Sequence, residues 1–492
     1  MSSLCLLPDE VLKLIMRFLP LNDRLCSCCL VNSRLHAAAV AATDILALGD
    51  WTAEPPAYHR PVGSSSLAKE ALQWLEPHGQ HLTQLHLRRF CRRLQHLQCP
   101  NLLELKVDHW ICRVQLGPTA SHPGVIQGCT KLTRLELQCY ILDTPVCVAV
   151  DNLSSLVHLQ HLHVMPMDRD GRYCFEGLSG ATLPRLQHLT FLSFNSLSIE
   201  NVSQLSGLTS LQHLLLDVAG EVAVGPSSVP GLMFPDSLTK IVVTSPVEAG
   251  LLTLLPAGLQ ELWLLHSVEG PAEGPGSLLS CMAGLQHLTE LEISARVGID
   301  WSPAGPAYSA LTASSNLASL GFEDFKIPGG AWPHVFPATR KLLNLTNIYF
   351  DLHQEITWGE PAVPSAWGAA DVSSLVTCCP NLREIGDKLP LQHGPHVSEL
   401  HKLAALTFLG VVYGRDSASA FQRSLKGLAA VTQLRELSVF LDSTELTAAS
   451  LLLLTSLTAL TKLEVRAPST DPSSPSCGYV ITTEVSPVTV GC

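Results

Sequence analysis

A six-residue unit recurs along most of this chain: leucine, two variable residues, leucine or isoleucine, one variable residue, then an aliphatic residue or phenylalanine. It runs Leu82-Leu85-Leu87, Leu102-Leu105-Val107, Leu132-Leu135-Leu137, Leu159-Leu162-Val164, Leu186-Leu189-Phe191 and Leu211-Leu214-Leu216. It continues through Leu238-Ile241-Val243, Leu259-Leu262-Leu264, Leu288-Leu291-Ile293, Leu317-Leu320-Phe322 and Leu345-Ile348-Phe350. A weaker Leu382-Ile385 follows, and then Leu406-Leu409-Val411, Leu434-Leu437-Val439 and Leu460-Leu463-Val465. The fifteen anchors from 82 to 460 lie a mean of 27 residues apart. One residue type fills the interior: leucine accounts for 87 of the 492 residues, and aromatics for only 6%.

A 20–29-residue period built on this unit is the signature of leucine-rich repeats. Each unit supplies one short strand and a helix or turn back, and cannot bury its apolar face alone, so units stack. The predicted fold class is therefore α/β: a leucine-rich-repeat solenoid of about 15 repeats over 82–466, parallel strands on the concave face and helices or turns on the convex face. Cys99, Cys129 and Cys379 each stand three residues before a first leucine. They resemble the cysteine-containing repeats common in F-box proteins, and they read as small buried hydrophobes. Phe90, Trp110, Tyr140 and Met167 stand where a turn asparagine or cysteine is usual, so no regular polar ladder is expected after the strands. The 37-residue step from Leu345 to Leu382 holds Trp358, Pro361, Pro364 and Trp367, which reads as an insertion loop near 353–372. Residues 220–236 and 266–280 are rich in glycine and proline and read as surface turns.

Side chains alternate along a strand. The third and fifth residues of each unit should therefore line the concave face, with neighbouring strands about 4.8 Å apart. Two features emerge there. Arg134, His161, His163, His188 and His213 form a basic, histidine-rich cluster, and Leu215, Val242 and Trp263 form an apolar stripe with an aromatic anchor. Such a patch suits a protein-binding hot spot. No carboxylate or thiolate completes a metal set with the histidines, and their Leu-Gln-His-Leu context recurs, as inherited repeat sequence would.

Residues 6–48 are different. Pro8, Asp9 and Glu10 suit a helix start. Leu7, Val11, Leu14, Ile15, Phe18 and Leu19 recur at helical spacing before Pro20, and Asn22 or Asp23 can cap a second helix. The string Leu7-Pro8-x-Glu10-x-Leu12-x-x-Ile15-x-x-x-Leu19-Pro20-Leu21-x-Asp23-x-Leu25, followed by Leu30-Val31-x-x-Arg34-Leu35, resembles the F-box, an all-α trihelical module. The family usually carries a tryptophan near position 35, where Leu35 stands here. The resemblance implies docking on the Skp adaptor, and through it a cullin, by Leu7, Pro8, Glu10, Leu12, Ile15, Leu19, Pro20, Leu25 and Val31. It implies a substrate-recognition subunit of a ubiquitin ligase, with the repeats binding an unknown protein substrate for degradation. Residues 49–81 read as a linker and first cap, and the Ser/Pro/Thr-rich 467–492 as a disordered tail.

The net charge of −12 argues against a nucleic-acid grip. No apolar run is long enough for a transmembrane helix, and the start lacks the pattern of a signal peptide. The 16 cysteines are scattered and expected to be reduced inside the cell, in cytoplasm or nucleus; Cys26 and Cys29 lack a second pair for zinc. No phosphate-binding loop, nucleophile elbow or metalloprotease motif is present, so neither a catalytic role nor a cofactor is expected. The competing expectation is a leucine-rich scaffold, cytoskeletal or axonemal, whose N-terminal helices only cap the array. It turns on whether residues 6–35 expose an apolar face or bury it.

Overall fold

The computed structural model describes residues 7–17, 33–48, most of 75–467, and 479–484. The larger segments outside that description are 18–32, 49–74, 89–96, 111–125, 142–152, 169–182, 219–230, 296–304, 352–366, 442–451 and 468–478. Leu19, Pro20, Leu25, Val31, the Cys26/Cys29 pair, Trp358 and nearly all of the proposed linker lie in them.

The chain divides into two compact units. The first opens with two helices, α1 (Asp9–Arg17) and α2 (Ser33–Ala41). Asp9 and Glu10 sit at the positive end of the α1 dipole. Leu12 and Met16 pack on Leu35, Ala38, Ala39 and Ala42, with Leu7 against the edge of this small core. The Arg34 guanidinium joins the two helix starts, donating to Asp9 Oδ1 (2.8 Å) and the Leu7 carbonyl (2.6 Å).

Seven parallel strands follow: β1 (Ile45–Leu48), β2 (Gln84–Arg88), β3 (Glu104–Trp110), β4 (Arg134–Ile141), β5 (His161–Asp168), β6 (Phe191–Leu197) and β7 (His213–Val218). Residues 45–48, assigned to the helical module from sequence, are thus the first strand of the stack: Leu46 pairs with Leu85. The chain reaches β1 directly from α2. Thr43 Oγ1 donates to the Ala39 carbonyl (2.9 Å), and the Asp44 carbonyl accepts the N–H groups of Thr83 and Gln84.

The second unit holds the parallel strands β8 (Lys240–Val243), β9 (Glu261–Val268), β10 (Glu290–Ala295), β11 (Ser319–Glu323), β12 (Asn347–Asp351), β13 (Glu384–Pro390), β14 (Phe408–Tyr413), β15 (Glu436–Leu441) and β16 (Lys462–Ala467). An antiparallel strand, β17 (Tyr479–Glu484), pairs with β16. It corrects part of the disordered-tail expectation: Tyr479-Val480-Ile481-Thr482-Thr483 is a β-favouring run, and it covers a sheet edge that would otherwise stay unpaired. Return segments include the helices α3 (Pro275–Met282), α4 (Trp332–Val335), α5 (Ala369–Cys378) and α6 (Ala418–Leu428) and short 3₁₀ turns such as Leu183–Arg185 and Leu205–Gly207. The stretch 275–280, expected as surface turn, opens α3, whose Leu278, Leu279 and Met282 are buried.

The anchor leucines are the core: Leu82, Leu102, Leu132, Leu159, Leu211, Leu238 and Leu259 are wholly buried. At most anchors the residue three before closes a tight turn by accepting the anchor's N–H. Leucine does this at Leu156–Leu159 (3.0 Å) and cysteine at Cys99–Leu102 (3.0 Å) and Cys129–Leu132 (3.1 Å). Cysteine and leucine thus occupy equivalent core slots, and burial pushes the Cys99 thiol up to about 11 and Cys129 to about 12. A polar ladder does exist, one residue before the anchors: the side-chain amides of Asn101, Asn344 and Asn381 donate to the carbonyls of Gln80, Ser315 and Leu343.

Two expectations change inside the array. Strand β5 pairs with β6 as Leu162↔Leu192 and Val164↔Phe194, so the fifth unit is Leu189-Leu192-Phe194, three residues later than assigned. Trp367, placed in a loop from sequence, is wholly buried: it packs 4.1 Å from Trp332 (ring centroids) and against Phe336 and Phe350. The long repeat is filled by this aromatic cluster.

Candidate functional site

Two surfaces collect the residues singled out from sequence. The first is α1. Leu12 is wholly buried, as part of the module's own core, so it supports the proposed adaptor face instead of forming it. Leu35, the departure from the F-box pattern, is buried in that same core. Leu7 and Ile15 are half-buried, and Pro8 and Glu10 are exposed. The sequence reading did not select Val11 and Leu14, yet they are 39% and 56% exposed. Val11 and Leu14 follow i, i+3 spacing and share one side of the helix. Helical spacing was the available signal, but it did not say which apolar residues the module keeps for itself.

The second surface is the strand face of the first unit. Glu136 on β4 is its hub. Its carboxylate accepts from Lys106 Nζ (3.0 Å) and His161 Nε2 (3.3 Å), and Arg134 donates to it through both Nε (2.8 Å) and the terminal nitrogen. His161, then Lys106 and Arg134, hold the Glu136 carboxyl well below the usual carboxylate range, against the opposing effect of burial. His86 meets Glu104 at 3.1 Å on the two strands before. The His161 ring stacks on Phe191 at 4.1 Å, and His213 lies beyond that ring at 6.3 Å. Burial is the main cause that lowers the His163 imidazole, with Glu136 pulling it back up.

His161, His163 and His213 therefore belong to one face, with Arg134. His188 does not. The three-residue register correction puts it in the turn before β6, exposed and stacked on His158 at 6.5 Å. Phe191, which takes its place in the column, went unrecognised as a surface residue because it fits the unit's buried last position. Among the described residues no three histidine, cysteine, aspartate or glutamate side chains are grouped to hold a metal ion.

The apolar stripe is altered too. Leu215 is half-buried on β7. In the second unit Val242 is buried, and Trp263 is covered by Lys240, whose Nζ lies 4.0 Å above the ring and 2.6 Å from Glu261 Oε2. Trp263 is thus part of a filled cation–carboxylate–ring contact. Burial, then the neighbouring Glu261, raises the Glu290 carboxyl. Further along, Tyr349, Glu384, Gly386, Thr407, Phe408, Arg435 and Glu436 line an open hollow of about 490 Å³. Its signal in the sequence is Gly386, a glycine at the fifth position of its repeat.

Stacked parallel strands, a leucine core and a polar strand face define a leucine-rich-repeat protein. The residues before β1 match the F-box domain over 4–40. The chain thus joins an F-box domain to a leucine-rich-repeat array. Similar solved structures include an internalin (inlF) from Listeria monocytogenes, 16% identical over 82% of this chain and 95% of that one, with a TM-score of 0.41. The functional domain of InlJ from Listeria monocytogenes is 12% identical, covering 79% and 74% of the chains, with a TM-score of 0.34. The mouse RP105/MD-1 complex gives 14% identity, 79% and 75% coverage and a TM-score of 0.35. No curated protein matches the sequence. No helix among the described residues is long and apolar enough to cross a membrane.

Proposed function

We propose that this protein is a substrate-recognition subunit of a Skp-cullin-F-box ubiquitin ligase. On this reading α1 docks on the Skp adaptor and the strand faces hold a protein substrate for ubiquitin-dependent degradation. One observation carries it. The helical module satisfies its own core with Leu12, Met16 and Leu35, and still presents Pro8, Val11 and Leu14 outward. A helix that served only as a cap would gain by turning those side chains inward, whereas a helix that docks must leave them for a partner. The receptor needs no bond-making residues of its own; it raises the local concentration of a substrate lysine. Candidate substrate contacts are Arg134, His161, His163, His213 and Leu215 on the first unit's strand face.

A second reading, the capped scaffold, draws on the fusion of module and array: Arg17 pairs with Asp44 at 3.2 Å, where α2 runs into β1. Co-purification of the full chain with a Skp adaptor decides between them. Capture of the adaptor at stoichiometric yield is expected. A folded chain that fails to capture it overturns the receptor reading and leaves the scaffold.

A further inference from the structure

We propose that the hollow in the second unit is a receptor site for a basic side chain, an arginine or lysine of the protein substrate. The inference rests on the receptor reading for its biological setting, but its chemistry comes from a comparison inside the molecule.

On β8 and β9, Lys240 pairs in register with Glu261, and Trp263 stands two residues after Glu261. The lysine neutralises the carboxylate at 2.6 Å and caps the ring at 4.0 Å. On β12 and β13 the same register pairs Asn347 with Glu384, and Gly386 stands two residues after Glu384. The cation has become a neutral amide, and the ring has become a glycine. Glu384 is half-buried, and its carboxylate has no hydrogen bond or ion pair among the described residues.

The ring of Tyr349 takes the space over Gly386, and the hollow beside it is not walled by inert groups. Tyr349, exposed on β12, faces Gly386 so closely that a Cβ there would lie 2.8 Å from Tyr349 Cδ1. Asn347 Nδ2 donates to the Tyr349 hydroxyl at 2.9 Å, which fixes the ring beside the carboxylate. Phe408 pairs with Glu384 on the other side, across β14. A carboxylate lacking a counter-charge between two aromatic rings attracts a cation by charge and by ring quadrupole. The opposing charges are peripheral. Arg435 is an exposed residue of the lining, and Lys462 reaches Glu436 only at 3.8 Å. An incoming guanidinium or ammonium would recreate, between molecules, the contact Lys240 makes within one.

The test uses the full chain and two small probes, N-acetyl-arginine methylamide and N-acetyl-glutamate methylamide, followed by saturation-transfer NMR. The arginine probe should bind and the glutamate probe should not. Glu384→Gln should weaken arginine binding on the order of tenfold, the worth of one charge-assisted contact. Asn347→Lys should abolish it by supplying the cation internally. Both positions are half-buried on the strand face, and an unchanged thermal unfolding midpoint confirms the fold. Arginine binding that is absent, or equal in the wild type and Glu384→Gln, overturns the proposal; so does preference for the glutamate probe, which would make Arg435 the determinant. Adaptor capture is a separate readout. Capture without probe binding removes only the hollow, and probe binding without capture removes only the ligase role.

Discussion

Replacing Val11 and Leu14 together by glutamate should abolish adaptor capture and leave the fold intact. The two side chains are 39% and 56% exposed, so roughly half of each remains to be buried by a partner. Complete burial of a valine or leucine contributes about 1.5–3 kcal/mol, so the exposed halves offer on the order of 1 kcal/mol each. Losing both costs about 2 kcal/mol, roughly thirtyfold in affinity. The new carboxylates would also have to shed water against an apolar partner, which adds at least a comparable penalty. Folding should not suffer: the positions face away from Leu12 and Met16, and glutamate is a good helix former near a helix N-terminus. Surface changes of this kind stay within about 0.5 kcal/mol. The assay is adaptor affinity by calorimetry, paired with a thermal melt of the same preparation. An unaltered affinity in a folded variant refutes the assignment of this face. A lost fold refutes the claim that Val11 and Leu14 stand outside the module's core.

Leu12→Ala should do the reverse, destabilising the helical module by about 2–5 kcal/mol, since the side chain is wholly buried; hydrogen exchange of α1 amides measures it. His161→Ala should cost about 2 kcal/mol through the lost Phe191 stack and Glu136 contact, while His188→Ala stays within about 0.5 kcal/mol; denaturant midpoints of the pair test the register correction. Gly79→Ala should destabilise by about 1–3 kcal/mol, because its Cβ would lie 2.7 Å from the Gln98 carbonyl oxygen, which is fixed backbone. The chain should also lose stability as pH falls. His163, His78 and His396 are lowered by burial, so the unfolded state takes up protons first, below about pH 6.5. Glu136, held low by His161, contributes in full above the ordinary carboxylate range, and that contribution fades below about pH 4.3. A stability profile in urea that is flat from about pH 7 to about pH 5 would contradict the histidine assignments, and one that stays flat from about pH 4.5 down to about pH 2 would contradict that of Glu136.

The stack was legible because leucine at fixed spacing can be buried in only one way, and fourteen of the fifteen anchors keep their assigned register. The exception shows the limit of the pattern. Leu186-Leu189-Phe191 and Leu189-Leu192-Phe194 satisfy the same template three residues apart, because leucine recurs at 186, 189 and 192. Only strand pairing separates them, and it sends His188 to a turn and Phe191 to the surface.

The faces were less legible than the core for a related reason. A core position is fixed by what the residue is, but a surface position acquires its meaning from the neighbouring strand. Trp263 read as an open anchor until Lys240, one repeat earlier, proved to lie over it. Glu384 takes its meaning from Asn347 and Gly386, which stand where the lysine and tryptophan stand in the other pair. The same holds at the N-terminus. Leu12 and Leu14 both belong to the apolar spacing of α1, and their different fates follow from which of them meets Leu35 and Ala39 across the helix pair. Where a repeat protein departs from its own template, the departure is therefore best judged against the register-equivalent pair elsewhere in the same chain. In this molecule that comparison singles out Glu384 as a carboxylate with no counter-charge paired to it among the described residues.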